Sequence, residues 1–510
     1  MVYTDDFFSP TSSYPMDDLV KLVDSNTFEN VNFKKIAHWY DGSLMDDSKL
    51  DSFIYRKKGN TYYVDTEFIA NNSFNIKKIG LKADGQTDDT LPLQKAIDIA
   101  IKLKVKLKLP SGVIKIINQI SIDISQTNNL KGYEIEGDGI GVTIIKSENN
   151  NECNTAIYFK GINEFQFVKM KGFSIVRPDT GISSGGTGLK FEKAVYVELE
   201  DIDVFRFSNG IEFNDVALGM LTRINARWCK TALKGSMQPG GFTPPNLINF
   251  VGCGFHSNSV SGVHLENCHN VKFDSCGFEG NSGNPLDIIF NAANGAVGLN
   301  AINNYFEGNK GEADIKITNL KEGVHNITGN TFNRLSKDHH TYYNILVAAE
   351  AQGNQVLNMT GNGFFSANDF IPEAGKPAWH IPWNSESFEI TDFNYYSNEV
   401  LRPNLNLKNI IKLKKEYNTG TLNINADGTY SNGTNGLTSM RYNQGIYLIT
   451  LPHNVNTIQS LQITARQGDA NITTLPSFGY GILNNNTVQI LCRDQNGATD
   501  SGFLLNIEYK

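Results

Sequence analysis

Two glutamates stand at matching places in a repeated turn: Phe278-Glu279-Gly280-Asn281 and Phe306-Glu307-Gly308-Asn309. On successive rungs of a strand stack their backbones would lie about 4.8 Å apart. Two negative charges that close resist double ionisation, so one carboxyl should titrate high. A protonated carboxyl beside an ionised one is the equipment of glycoside hydrolysis. One group protonates the leaving oxygen while the other attacks or activates water. The backbone spacing is near the retaining range of about 5–5.5 Å, but side-chain directions can widen it, so the stereochemistry stays open. The plainer reading is that the turn is punctuation and its glutamates merely face solvent.

Other polar residues fall around this pair. One outward position in each repeat reads His256, Glu279, Glu307, Asn333 and Phe365. Arg206, Arg227 and Trp228 come from preceding rungs, and Asp201 and Asp203 alternate outward just before them. Trp228 offers a stacking face for a sugar, and Arg206 or Arg227 a partner for a sugar carboxylate. Asp274 shares the rung of Glu279, while Asp287 and Asp314 follow the glutamates. An insertion from Arg334 through His339 to Tyr343 would overhang the same face. The candidate substrate-binding set is therefore His256, Arg227, Trp228, Arg206, Asp203, Asp274, Asn333, Arg334 and His339; each also makes sense as a rim residue. β-Elimination on an acidic sugar is the competing chemistry, with Arg227, His256, His264 or Tyr305 as base. The calcium it often needs finds no aspartate cluster on the rungs. Six scattered cysteines include no C-x-x-C pair and read as buried thiols. No metal or cofactor is expected.

These residues need a scaffold that repeats. Phe250–Ser259 (FVGCGFHSNS), Phe273–Ser282 (FDSCGFEGNS), Ala301–Lys310 (AINNYFEGNK), Ile327–Ser336 (ITGNTFNRLS) and Met359–Asn368 (MTGNGFFSAN) align at intervals of 23 to 32 residues. This suits a parallel β-helix with loops of varying length between rungs. Phe255, Phe278, Phe306, Phe332 and Phe364 form one ladder; Cys253, Cys276, Asn304, Asn330 and Asn362 form another two residues earlier. Strand alternation turns both inward. Before the repeats, IKKIGLKADGQTDDTLPLQKAIDIA (Ile76 to Ala100) predicts a strand over Ile76 to Leu81, an Asp-Gly turn and a helix over 90–103. Asp84, Asp88 and Asp89 suit turn formation and N-capping better than calcium. The helix would cap the open end of the stack.

The rest follows from composition and pattern. With 510 residues, two to four domains are expected. Residues 1–72 form an N-terminal module, with a helix start near Tyr14 and a hairpin over Phe53 to Val64. Residues 73–400 form the β-helix, with rungs to about 370, where Pro372, Pro377, Trp379, His380, Pro382 and Trp383 crowd together and either end it, the favoured reading, or form an aromatic sugar platform. Residues 401–510 alternate as a β-sandwich for trimerisation or carbohydrate binding. A net charge of -8 with no long basic run excludes a nucleic-acid partner. No stretch is long and apolar enough to span a membrane, and the acidic start lacks a signal-peptide pattern.

The segment Ile76 to Gly112 resembles the opening motif of pectate-lyase-like proteins. The whole order, with Ala37-His38-Trp39-Tyr40-Asp41-Gly42 ahead of the β-helix, resembles the phage tailspike depolymerases. The fold class expected is all-β: a right-handed parallel β-helix with an N-terminal capping helix and a C-terminal β-sandwich. The resemblance implies a homotrimer in the virion tail, assembled in the host cytoplasm. It also implies docking to other tail proteins through the N-terminus, and cleavage of bacterial capsular polysaccharide at the host surface. It transfers no catalytic residue, since the motif itself carries none. Glycoside hydrolase, polysaccharide lyase and non-catalytic glycan-binding adhesin all remain open.

Overall fold

A computed structural model describes residues 19–23, 27, 29–124, 132–148, 155–162, 165–178, 185–238, 241, 243–290, 297–318, 323–335, 341–348, 355–366, 379–380 and 388–396. Beyond these it describes 418–424, 430–431, 438–443, 446–450, 458–465, 477–484, 487–494, 497–498 and 503–509. The chain divides into two compact units, Met1–Ile410 and Ile411–Lys510.

The first unit opens with four antiparallel strands, Leu19–Val23, Asn30–Ile36, Thr61–Asp65 and Tyr55–Lys58 in that spatial order. The expected hairpin is present and turns at Gly59, whose φ of 56° suits glycine. The helix start near Tyr14 lies outside the described residues. Ile76–Ile79 is a 3-10 turn rather than the predicted strand. The strand comes later, at Asp84–Asp88. Helix Thr90–Leu103 buries Leu93, Ala96, Ile97 and Ala100, which lie at helical spacing, together with Ile99 and Leu103, and leaves Leu91 in solvent. Asp89 does not cap it by side chain. Its carboxylate instead reaches back to the N–H groups of Lys82 (2.7 Å) and Ala83 (2.9 Å). Asp88 accepts from Thr90 N at 3.0 Å. Asp84 accepts from Gln86 and Thr87, which holds its carboxyl down at about 2. All three aspartates thus make local turns. Gln94 joins the helix to the strand Ile120–Asp123 through Ser121. On its other side Lys102 reaches the carbonyls of Ser48 and Leu50, and Lys95 lies 4.1 Å above the Phe53 ring. The N-terminal module and the cap therefore share one core.

From Asp84 to Tyr396 the described strands pair in parallel, in a network of 27 strands. The fold is a parallel β-helix. From Asn225 to Arg334 each rung has a short middle strand: Asn225–Arg227, Gly254–His256, Gly277–Glu279, Tyr305–Glu307, then Thr331–Arg334. Left-handed corner residues bracket it. Asp201, Arg223, Gly252, Ser275, Asn303 and Gly329 make one corner; Arg206, Trp228, Ser257, Gly280 and Gly308 make the other. One residue in this conformation turns the chain sharply between two extended segments.

The interior obeys the alternation. Phe255, Phe278, Phe306, Phe332 and Phe364 stack with centroids 4.8–5.3 Å apart, each fully buried. Each such side chain is worth roughly 1.5–3 kcal/mol of burial. Beside them, Asn304, Asn330 and Asn362 run as a continuous hydrogen-bonded ladder, joined by Asn394. Each amide oxygen accepts the backbone N–H of the preceding rung's corner, so the bends that break strand pairing leave no buried donor unmet. A second ladder, Asn258–Asn281–Asn309, pins the opposite corner in the same way.

The rungs do not stop near 370. Trp379–His380 pairs with the strand Tyr343–Ala348, and Phe388–Tyr396 pairs with Gln355–Ser366. Pro372, Pro377, Pro382 and Trp383 lie outside the described residues, while Trp379 and His380 belong to the ladder itself. The second unit contains two antiparallel sheets. One is built from Tyr430–Ser431, Asn418–Ile424, Phe503–Tyr509 and Ile458–Ala465. The other contains Thr438–Asn443, Ile446–Thr450, Thr487–Asp494 and Ser477–Asn484.

Candidate active site

Register brings the outward residues of the short strands into one column. Phe205 pairs with Arg227, Arg227 with His256, His256 with Glu279, Glu279 with Glu307, Glu307 with Asn333, and Asn333 with Phe365. Glu279 and Glu307 are therefore neighbours on one outer face, on backbones about 4.8 Å apart. A parallel column two residues earlier reads Asn225, Gly254, Gly277, Tyr305 and Thr331.

That second column shapes the first. A Cβ at 254 would collide with His256 Nε2 and Asn225 Oδ1, so only glycine lets the imidazole lie across its own strand. At Gly277 the same Cβ would sit 3.3 Å from His256 Cε1 and 3.6 Å from Glu279 Oε1. The two glycines make a recess that the His256 imidazole occupies, and Tyr305 stands at the same register position one rung beyond Gly277. The Tyr305 hydroxyl donates to Glu307 Oε2, and Asn333 Nδ2 donates to Tyr305 at 3.5 Å.

The electrostatics differ between the two glutamates. Partial burial, and then the charge of Glu279, push the Glu307 carboxyl above the usual range. His256 Nδ1 stands 4.0 Å from Glu279 Oε2. Burial lowers the His256 pKa; Glu279 opposes this and Arg227 adds to it. The arrangement can hold a carboxyl poised to give a proton, a second carboxyl one rung away, and a neutral imidazole beside that. Among the described residues no group of His, Cys, Asp and Glu is arranged to hold a metal ion.

Several sequence candidates take other places. Asp203 is 6% exposed. It holds Arg227 with two bonds, at 3.2 and 3.1 Å, so it orients the arginine and does not itself present to solvent. Arg334 is 2% exposed. The same alternation that turns Asn333 outward turns it in, where Nη2 donates to Tyr342 O at 3.2 Å. Burial lowers its pKa to about 10. It faces Asp314, itself buried and pushed up to about 6. Neither can meet a ligand on the open face. Asp274 lies on the adjacent sheet, beyond the Ser275 corner, and is engaged by Lys272 at 2.9 Å. Asp201 is bound by Arg223. His264 stands on the third sheet between Asp287 (2.9 Å) and Glu266 (2.8 Å), which raise its pKa, so it is no base for this column. His339 lies outside the described residues. Arg206 and Trp228 sit at the corner beside Arg227, with Arg206 Cζ 5.0 Å over the Trp228 ring.

The Gly254–Gly277 recess and the Asn258 ladder escaped the sequence reading. Their signals were present: Gly at the same offset in FVGCGFHSNS and FDSCGFEGNS, and Asn at the ninth place of three repeats. Two surface depressions occur elsewhere. One, with a cavity volume of about 20 Å³, lies among Phe33, Phe53, Arg56 and Phe74, and one of about 350 Å³ among Glu136, Asp138, Lys171 and Glu200. Neither touches the column.

No protein-family model matches the chain, and no curated protein matches it. Among solved structures it is similar to the enzymatically active domain of tailspike protein 2 of bacteriophage CBA120. There identity is 12%, coverage 97% of this chain and 78% of that one, and the TM-score 0.49. It is similar to ORF18 of Geobacillus virus E2, at 16% identity, covering 96% and 89%, with a TM-score of 0.47. It is also similar to a tailspike protein of Acinetobacter baumannii bacteriophage Fri1, described as a capsular polysaccharide depolymerase. That match has 11% identity, covers 97% and 95%, and has a TM-score of 0.41. The strand register, independently of these likenesses, establishes the parallel β-helix.

Proposed function

We propose that this chain is a tailspike-type depolymerase that binds bacterial capsular polysaccharide along the Arg227-to-Asn333 column and cuts it as an endo-glycoside hydrolase. One observation carries the reading: Glu279 and Glu307 share a register position on adjacent rungs, where partial burial and then the Glu279 charge raise the Glu307 carboxyl. Glu307 gives its proton to the glycosidic oxygen as the C1–O bond breaks. Glu279 then either attacks C1 or takes a proton from the water that does. The Tyr305 hydroxyl stabilises the Glu307 carboxylate left after transfer. The same reading makes the protein a homotrimer of the virion tail, docked to another tail protein through its N-terminal segment. Sedimentation of the purified chain tests the trimer.

A second reading has a specific observation behind it. His256 is kept neutral beside Arg227, which suits abstraction of a proton next to a uronate carboxylate. Arg227 is already engaged by Asp203, which argues for hydrolysis. Mass spectrometry of products from a panel of capsules decides. Oligosaccharides carrying one added water per cut, abolished by Glu279→Gln or Glu307→Gln, are expected. Unsaturated products would overturn hydrolysis in favour of elimination, and binding without cleavage on every capsule would leave an adhesin.

A further inference from the structure

We infer that His264 is a pH-sensitive pin between two rungs of the β-helix, engaged while its imidazole carries both protons and released in alkali. The pin lies on a different sheet from the glutamate column and is independent of the hydrolase reading.

The bonds of the ring fix its protonation state. His264 Nδ1 lies 2.9 Å from Asp287 Oδ2, and Nε2 lies 2.8 Å from Glu266 Oε1. An ionised carboxylate accepts hydrogen bonds and donates none. Two such acceptors, one at each ring nitrogen, call for two N–H groups, which only the imidazolium has. A neutral ring keeps one N–H and turns a lone pair toward the other carboxylate. The bond to Asp287 raises the His264 pKa most; burial opposes the rise, and the bond to Glu266 adds to it.

Its place in the fold shows what the pin holds. Glu266 is two residues further along the same strand, Ser261–Cys268, and so shares the outer face. Asp287 is on the next rung, in Leu286–Phe290, at the register position of His264. The pairing of these two strands shifts between Glu266 and Cys268, where Asn267 takes a φ of 55°. The imidazolium ties the rungs together just before that break. Asp287 Oδ1 is buried and meets no hydrogen-bond partner among the described residues, so the loss of the His264 bond would strand this carboxylate.

The charges around the pin do not replace it. On successive rungs the column reads Lys190, Glu212, Lys234, His264, Asp287 and Lys316. Lys190 pairs with Glu212 at 3.2 Å, and Lys316 with Glu312 at 2.8 Å. Lys234 faces His264 from the preceding rung and opposes its charge, but the two carboxylates in direct contact outweigh it. Of these residue types histidine alone ordinarily titrates between pH 5 and 8, so the pin is where this column responds to pH. With its folded pKa above the unfolded value of about 6.5, His264 contributes its full stabilisation below that value. The contribution is lost as pH rises through the folded pKa.

Hydrogen exchange at the imidazole C2 position, followed by mass spectrometry of peptides from the full chain, reads the titration of each histidine. His264 is expected to titrate above about 6.5, and His256 and His269, both lowered by burial, below it. Asp287→Asn and Glu266→Gln should each move the His264 midpoint down. Thermal melts give a second reading: His264→Gln should melt several degrees below the unaltered chain at pH 5.5 and level with it at pH 9. Should His264→Gln not fold, Glu266→Gln, altered at a side chain 42% exposed, carries the same comparison. A His264 midpoint at or below about 6.5, a midpoint unmoved by Asp287→Asn, or a melting deficit equal at the two pH values would overturn the pin.

Discussion

Replacing Asn330 by Ala should cost far more than replacing Asn326, four residues earlier on the same rung. Asn330 is fully buried at the corner before Thr331–Arg334. Its Oδ1 accepts Asn304 N and Asn304 Nδ2, both at 2.9 Å. Its Nδ2 donates to Ala301 O at 2.8 Å and to Asn362 Oδ1 at 2.9 Å. Truncation removes this partner from the Asn304 N–H and the Ala301 carbonyl where water does not reach. At about 1–3 kcal/mol per stranded group, the loss is roughly 2–6 kcal/mol. Asn326 also sits in a ladder, giving to Asn300 Oδ1 at 2.7 Å and accepting from Asn358 at 2.9 Å. That ladder is on the outer, half-buried face, where water substitutes, so its loss should stay near 0.5–1.5 kcal/mol. Thermal unfolding at one fixed scan rate makes the comparison, since a solenoid of this length is expected to unfold irreversibly. A midpoint drop of several degrees for Asn330→Ala and a much smaller one for Asn326→Ala are expected. Equal drops would refute the argument that the inner ladder exists to satisfy the corner.

Three more outcomes are expected. Hydrolysis should decline on the alkaline side as Glu307 loses its proton, at a pH above that of an ordinary glutamate, and a pH–rate profile checks this. Gly254→Ala should displace the His256 imidazole and cut activity at least tenfold while the melting midpoint moves little, which kinetics and calorimetry together read. Arg334→Met should be destabilising at pH 8 by about 3–5 kcal/mol and much less so at pH 5. Asp314 titrates near 6 in the folded chain against about 3.9 unfolded. Its stabilising share is therefore full at low pH and lost as pH rises through 6. Removing the Arg334 charge deepens that loss, and melts at the two pH values would show it.

The β-helix was legible because its letters recur. A phenylalanine every rung and an asparagine or cysteine two places earlier specify strand, face and register at once, and the glutamate column follows by alternation alone. What lay outside that periodicity was harder to read. Arg334 looked like a rim residue because it begins an insertion, but one further step of alternation takes it inside, where Asp314 awaits it from another strand. Asp203 looked available because nothing in the local sequence shows that Arg227, one rung on, will occupy it. Gly254 and Gly277 carried no chemistry of their own, so the recess they create was invisible until the imidazole was seen lying over it. Ile76-Lys77-Lys78-Ile79 puts its two isoleucines three apart, which is turn spacing and not strand alternation, and the Asn75 side chain caps it into a 3-10 turn. The ladder runs past residue 370 because Trp379–His380 and Phe388–Tyr396 both pair with earlier rungs, which the proline-rich composition around them does not reveal.

The three-residue strands between left-handed corners have one more consequence. Each rung contributes a single letter to the column, at constant pitch and in constant orientation, whatever the length of the loops elsewhere in that turn. Duplicating or deleting a whole turn would therefore slide every later letter by one step without reshaping those before it. The distance between the arginine end and the glutamate end could then change only in whole rungs, like the teeth of a ratchet. Recombination between solenoids of this build could alter the spacing of residues along the column while keeping Glu279 and Glu307 on adjacent rungs.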